Sequence, residues 1–185
     1  MYAAIDYYYI TAMDNLSPII FLIPFIALML VIFMFIYLAR IADDVPVFKY
    51  FVFTTGWVAF VLNFVWELAQ MPLYKNAPYD LAHIAFCALA SVADVIMVLL
   101  IYFCFALIYI NPLWVKTLTA SRIFLLILVG GLGAIVAEVR HLSAGNWAYD
   151  DDMPIIPIVN VGLSPLLQFM LLPALIYYLS YKKKR

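Results

Sequence analysis

Four stretches of the chain bring together side chains that chemistry could use. Asn63, Glu67 and Gln70 stand at i, i+4 and i+7, with Trp66 beside them and Pro72 just beyond. That spacing places the three polar groups on one helical face. His83 and Asp94 are 11 residues apart, about three helical turns, and Ser91 precedes Asp94 at i−3. Glu138 and His141 form an i, i+3 pair with Arg140 adjacent, and Asn160, Ser164 and Gln168 repeat at i+4.

Three chemistries fit these sets. The first is acid chemistry. A carboxyl in a dry, aromatic surround can stay neutral and donate a proton to an apolar substrate, which makes Glu67, Glu138 and Asp94 the candidate catalytic groups. Asn63, Trp66, Gln70, His83, Trp147, Tyr149 and Gln168 are then the candidate substrate-binding groups. The second is metal or haem binding. Glu138-x-x-His141 matches half of the Glu-x-x-His pattern of di-iron bundles, with His83 as a further ligand, and the chain's two histidines are the only ones a haem could use. The third is structural: Asn63, Glu67 and Gln70 would serve as interhelical hydrogen-bonding groups that hold a bundle together.

Other chemistries lack their motifs. There is no Gly-rich phosphate loop, nucleophile elbow or zincin sequence. Gly130, Gly131 and Gly133 lie in an apolar run and suit close helix packing. Cys87 and Cys104, 17 residues apart on one apolar stretch, would lie about 25 Å apart on a helix, too far to bridge.

The elements that must position these groups follow from composition. Of 185 residues, 69% are hydrophobic and 11% charged, and the mean hydropathy is +1.07. Soluble domains run about 45–50% apolar and about 25% charged, and a chain this short has too much surface to hide the excess. A soluble enzyme is excluded. So is a nucleic-acid partner, because a net charge of −1 with scattered basic residues makes no basic field. The sequence predicts an all-α integral membrane protein, a five-helix transmembrane bundle forming a single domain over 1–185. Its spans fall at about 18–39, 47–71, 81–110, 123–141 and 163–181, each near the length of about 20 apolar residues that a bilayer core requires. The opening segment lacks a basic n-region and is not expected to act as a cleavable signal.

Orientation follows from the basic residues. With Lys182, Lys183, Lys184 and Arg185 cytoplasmic, Arg40, Lys49, Lys116 and Arg122 fall on the same side, leaving Lys75 and Arg140 outside. The positive-inside rule therefore predicts an outer N-terminus and a cytoplasmic C-terminus, in a multi-pass protein of the bacterial inner (cytoplasmic) membrane. Tyr2, Tyr7, Tyr8, Tyr9, Tyr177, Tyr178 and Tyr181 read as interfacial aromatics. In this orientation every polar face lies in the outer half of its span, so the bundle is expected to hold one outward-facing polar pocket. The segment 142–162 carries Trp147, Tyr149, Pro154 and Pro157. The prolines exclude regular helix, and the segment is a candidate lid over that pocket.

The run Glu138, Gly145-x-Trp147-x-Tyr149, Pro154, Pro157, Gly162, Pro165 resembles the end-of-helix pattern of small polytopic carotenoid-modifying membrane enzymes, the bacterial lycopene cyclases and carotenoid hydratases. The resemblance covers about 30 residues. It implies acid chemistry on a long polyene, with Glu138 as the acid and Trp147 and Tyr149 at the pocket mouth. Where those cyclases carry a second acidic pair, this chain reads SPLLQ, with Gln168. The stretch Asn63-x-x-Trp-Glu-x-x-Gln-x-Pro72 also resembles one in small uncharacterised bacterial inner-membrane proteins, a likeness that implies no activity.

The leading expectation is thus a pocket that binds or modifies an isoprenoid or lipid-like molecule by acid chemistry. The principal alternative is a non-catalytic accessory subunit of a larger photosynthetic or respiratory membrane complex that binds pigment, quinone or lipid. A carboxylate–histidine metal site is the third. The sequence names no cofactor.

Overall fold

The computed structural model describes residues 22–182. The start of the first expected span, the tyrosines Tyr2 to Tyr9, and Lys183, Lys184 and Arg185 lie outside the described residues. Among the described residues five helices are long and apolar enough to cross a membrane: α1 (Leu22–Ile41), α2 (Val45–Gln70), α3 (Leu81–Ile108), α4 (Ala120–Ser143) and α5 (Leu163–Lys182). Alternate helix ends meet, so the 74–80 and 144–162 connections share one end of the bundle and the 42–44 and 109–119 connections share the other. α2 packs on α3 and α5, α5 on α4, and α1 on α3.

Local sequence sets the helix starts. Asp44 accepts the Val47 N–H at 3.0 Å, with Pro46 in the first turn of α2. Asp80 accepts the His83 N–H at 2.8 Å at the start of α3. That backbone bond, together with the His83 ring, holds the Asp80 carboxyl below its ordinary range. Such caps occupy N–H groups that have no partner within the helix. α2 ends in a 3-10 turn, Met71–Leu73, that contains Pro72.

α3 stops at Ile108, two residues short of the expected span, because Pro112 disfavours helical backbone at Asn111. The stop is a Schellman turn: Ile110 N–H donates to Leu107 at 3.1 Å and Asn111 N–H to Ala106 at 3.0 Å. Its left-handed position, where glycine is usual, is Ile110 at φ 50°. A β-branched residue is strained there. Ile110 is 84% exposed, so truncation removes no packing within the chain. Ile110→Gly is expected to stabilise the fold by about 1 kcal/mol, a rise of about 2–4 °C in the melting temperature of detergent-solubilised protein.

The half of the bundle near the 109–119 connection is an aromatic core. Phe51 lies 5.1 Å and Tyr177 5.7 Å from the Tyr102 ring, and Trp114 lies 5.3 Å from Phe105. Trp114 and Tyr102 are fully buried. The Trp114 indole donates to the Tyr102 carbonyl at 3.1 Å, and the Tyr102 hydroxyl donates to the Pro112 carbonyl. Arg122 closes this end. Its Nη1 reaches the carbonyls of Trp114 and Thr117, each at 2.8 Å, and its guanidinium lies 4.4 Å from the Tyr109 ring centre.

At the opposite end the 144–162 connection is more ordered than proline content alone suggests. Ile155–Ile156 (β1) and Val161–Gly162 (β2) form a short antiparallel ladder, Ile155 opposite Gly162 and Ile156 opposite Val161. Tyr74 and Tyr149 form a further antiparallel bridge, in which Lys75 N–H donates to Ala148 and Asp150 N–H to Leu73, each at 2.9 Å. The bridge ties the α2–α3 connection to the α4–α5 connection. Asn160, expected to begin the polar face of the fifth span, instead sits in the turn between β1 and β2 at φ 53°, exposed. Asparagine tolerates that left-handed backbone better than most residues, and α5 begins only at Leu163.

α5 also carries Pro173, which has no N–H to give the Phe169 carbonyl one turn earlier. Gly130 of α4 lies against that carbonyl. A methyl group built on Gly130 would sit 2.8 Å from the Phe169 carbonyl carbon and closer still to its oxygen. The two helices can approach at this point because one lacks a side chain where the other has a free carbonyl.

Candidate functional site

The polar residues of α2, α3 and α5 converge on Gln168. Its Nε2 lies 3.0 Å from Asn63 Oδ1, 3.1 Å from Glu67 Oε1 and 3.1 Å from Asp94 Oδ2. Gln70 Nε2 donates to Glu67 Oε1 at 3.0 Å and to Gln168 Oε1 at 3.2 Å, and Ser164 Oγ donates to Gln70 Oε1 at 2.8 Å. Asn63 turns its own N–H to the Ala59 carbonyl at 2.8 Å, which leaves its oxygen for Gln168. Asn63, Gln70 and Gln168 are buried, each 4% exposed or less, so these bonds stand in for water. The i, i+4, i+7 spacing on α2 delivers its three groups to one side, as a helix must.

The donor count of this cluster is short. A carboxamide nitrogen carries two hydrogens, yet Gln168 Nε2 faces three acceptor oxygens, two of them on carboxyls. Neither ion pair among the described residues involves Glu67, Asp94 or Glu138; the pairs are Lys75 with Asp151 and His83 with Asp80. The carboxyls are therefore gathered without a basic partner in any described ion pair.

Glu138 is the third carboxyl, held on α4 and buried. Both its partners come from the 144–162 connection: the Trp147 indole donates to Glu138 Oε2 at 3.2 Å, and the Tyr149 hydroxyl donates to the same oxygen. Tyr74, which no sequence pattern singled out, lies 5.5 Å from the Tyr149 ring and 6.5 Å from Trp147. Burial, followed by Glu138 and Glu67, pushes the Tyr74 phenol up. Burial and the bond to Glu138 do the same for Tyr149. Both phenols thus stay protonated and available as donors. The only sequence signal for Tyr74 is its place two residues after Pro72, where α2 turns out of the bundle.

Gly162 is part of this arrangement, because a side chain there would meet Met153 Sδ at 2.8 Å and Tyr149 Cζ at 3.1 Å. The β2 strand therefore fixes the ring that holds Glu138.

The histidines go elsewhere. His83 lies in the first turn of α3 with Nδ1 2.8 Å from Asp80 Oδ1, three turns from Asp94. His141 stacks on Trp147, with centroids 4.3 Å apart and planes at 17°, and its Nδ1 is 2.7 Å from the Asn146 amide nitrogen. Glu138, His141 and His83 do not come together as a ligand set. Among the described residues no group of three His, Cys, Asp or Glu side chains is placed to hold a metal ion.

Trp66 stands on the other side of Gln70. With Ala69, Gln70, Leu73 and Ser164 it borders a cavity of about 190 Å³. Ala69 is exposed, so the cavity opens on the bundle surface between α2 and α5. The site residues expected from sequence thus fall into three places: the Gln168-centred cluster with its Glu138 neighbour, the Trp66 cavity, and His83 apart at the start of α3. No family model matches the chain, and neither a curated protein nor a solved structure matches it.

Proposed function

We propose that this chain is a multi-pass protein of a bacterial inner membrane, N-terminus outside and C-terminus cytoplasmic, whose outer half binds or modifies an isoprenoid or lipid-like molecule by acid chemistry. The orientation rests on charge. Arg40, Lys49, Lys116, Arg122 and Lys182 stand at the bundle end away from the carboxyls, and the positive-inside rule makes that end cytoplasmic. Ionisable groups placed among spanning helices are costly and default to functional roles.

The observation that carries the reading is the gathering of Glu67 and Asp94, with Asn63, around the two hydrogens of Gln168 Nε2, with no cation paired to them among the described residues. A proton held by one carboxyl completes the hydrogen-bond count of the Gln168 cluster, and that proton is the one available for transfer. Given to a carbon–carbon double bond, it uses the π pair to form a C–H bond and leaves a carbocation. The rings of Tyr74 and Tyr149, grouped with Trp147 beside Glu138, would stabilise such a cation through their faces. Loss of a neighbouring proton to the carboxylate, or capture of water, then completes an isomerisation, cyclisation or hydration. The resemblance of the Glu138–Pro165 run to carotenoid-modifying enzymes points to the same chemistry.

The test compares what gently extracted wild type, Glu67→Gln and Glu138→Gln carry, by mass spectrometry and absorption. Wild type is expected to hold a prenyl lipid or polyene, and each variant to shift the bound population from product to precursor with turnover lowered at least about 100-fold. Melting temperatures should stay within a few degrees of wild type. An unchanged product in both variants would sink the acid role. Loss of stability without a change in bound species would leave the carboxyls as packing ties, and stoichiometric recovery with a larger membrane assembly would favour an accessory subunit.

A further inference from the structure

The segment from Met153 to Leu163 carries no charged side chain, although Asp150, Asp151 and Asp152 immediately precede it. It folds as a hairpin, β1 paired with β2 around a turn at 157–160. Turns ordinarily draw on Gly, Asn, Asp and Ser. Here Pro157, Ile158 and Val159 come before Asn160, and Ile158 is 93% exposed, the highest value for any large apolar side chain among the described residues. Pro154 is exposed as well, and Ile155 is 41% exposed. Met153, Val161 and Gly162 are buried and pin the base of the hairpin to the bundle, so a fixed support presents the apolar tip.

Backbone and depth both suit lipid. Pro154 and Pro157 have no N–H to satisfy. The Val159 and Asn160 N–H groups donate to the Ile156 carbonyl at 3.3 and 2.8 Å, and the Leu163 N–H donates to Pro154 at 2.7 Å. The two strands pair with each other. Few main-chain donors are left to need water, which is the condition for non-helical backbone near hydrocarbon. α5 begins at Leu163, and its 20 residues run about 30 Å, the thickness of a bilayer core. The Leu163–Pro154 bond therefore sets the foot of the hairpin at the edge of that core. Ile158, four residues on, stands at most about 14 Å from Pro154, and the headgroup layer takes up about 5–8 Å of that.

From this geometry we infer that the tip of the hairpin is a lipid-contacting surface, with Pro154, Ile155, Pro157 and Ile158 seated in the leaflet at this end of the bundle. Patches made for a protein partner carry a polar rim, whereas residues 153–159 offer no polar side chain. Gly162 of the same hairpin backs the Tyr149 ring, which donates to Glu138, so the seat also holds the Glu138 site at the level of the lipid. The inference rests on the helices spanning a bilayer and not on acid chemistry.

The experiment reads the surroundings of the tip in lipid nanodiscs. In the full chain carrying Cys87→Ala and Cys104→Ala, a nitrobenzoxadiazole label is attached at Ile158→Cys. A second sample carries it at Asp151→Cys, a side chain 99% exposed. The label at Ile158→Cys is expected to emit to the blue of the other and to be quenched more strongly by lipids with a nitroxide on the upper acyl chain. The unaltered chain gives a second reading. A phospholipid with a diazirine in its acyl chain should leave adducts on residues 154–159 after illumination. Ile155→Asp with Ile158→Asp should cut those adducts about tenfold and leave adducts on α1 unchanged.

Equal emission and quenching at the two labelled positions overturns the inference, as does an unaltered chain without adducts on 154–159. A label at Ile158→Cys that turns apolar only when a second membrane protein is added overturns it too, and assigns the tip to a protein partner. The outcome is separable from that of the acid reading. A tip in water leaves the product test of Glu67→Gln untouched, and an unchanged product in that variant leaves the hairpin in lipid.

Discussion

Gln168→Leu is expected to lower the melting temperature of the purified protein by about 5–15 °C, the largest effect of any side-chain truncation in the polar cluster. One amide nitrogen of α5 faces Asn63 and Glu67 of α2 and Asp94 of α3, and the same amide's oxygen accepts from Gln70. Leucine fills nearly the same space and neither donates nor accepts, so Asn63 and Asp94 lose their shared donor, Glu67 keeps only that of Gln70, and Gln70 loses an acceptor. Individual hydrogen bonds inside membrane bundles average about 0.6 kcal/mol and reach about 1.7 kcal/mol. Losing the two bonds that the amide hydrogens can make and the one its oxygen accepts from Gln70 costs about 2–4 kcal/mol, and for a chain of this length each kcal/mol moves the midpoint about 2–4 °C. The donor shortage supplies its own control. Adding Asp94→Asn to Gln168→Leu removes one carboxyl and introduces an amide donor, so the double variant should melt above Gln168→Leu alone. A double variant that melts no higher would show that packing, and not donor supply, sets the loss.

Gly130→Ala is expected to cost about 3 kcal/mol or more and to lower the yield of folded protein, while Gly133→Ala, one turn away on α4, costs nothing and gains up to about 1 kcal/mol of helix propensity. Overpacking a core usually costs about 1–3 kcal/mol because side chains can give way. At Gly130 the obstacle is the carbonyl of Phe169, part of the α5 backbone, and it cannot swing aside. The helices must separate instead, carrying Gln168 with them on one side and Glu138, two turns along α4, on the other. Gly133 has nothing within 4 Å of the same added atom. Thermal melts of the two variants in parallel check the contrast. Equal stabilities would show that the α4–α5 crossing is looser than the backbone contact implies.

The five helices were legible in the sequence because long apolar runs leave the chain few alternatives, and the one-face spacing of Asn63, Glu67 and Gln70 was legible because helix geometry is rigid. Which faces meet was not. Spacing within a helix fixes direction around its axis, but nothing local to α5 marks Gln168 as the group on which three helices converge. His83 shows the same limit from the other side. It shares a helical face with Asp94, yet the Asp80 cap engages it at the first turn. Asn160 fits the i+4 pattern of α5 and lies outside the helix, because a left-handed turn between two short strands takes that position. Tyr74 escaped notice because its importance comes from a β-bridge to Tyr149, 75 residues along the chain.

The bond from Gln168 to Asp94 spans 74 residues. On the proposed membrane reading, α2 and α3 leave the ribosome well before α5, with two carboxyls aboard and their shared amide still to be made. At about 5–20 residues per second, Gln168 follows Asp94 by about 4–15 s. During that interval Glu67 and Asp94 depend on water, on lipid headgroups or on the insertion machinery for donors. The final helix therefore does more than complete the bundle: its arrival releases the earlier segments from their last aqueous contacts. A nascent chain truncated before Gln168 should be recognised by quality-control proteases as unfinished, even though four of its five helices are already in place.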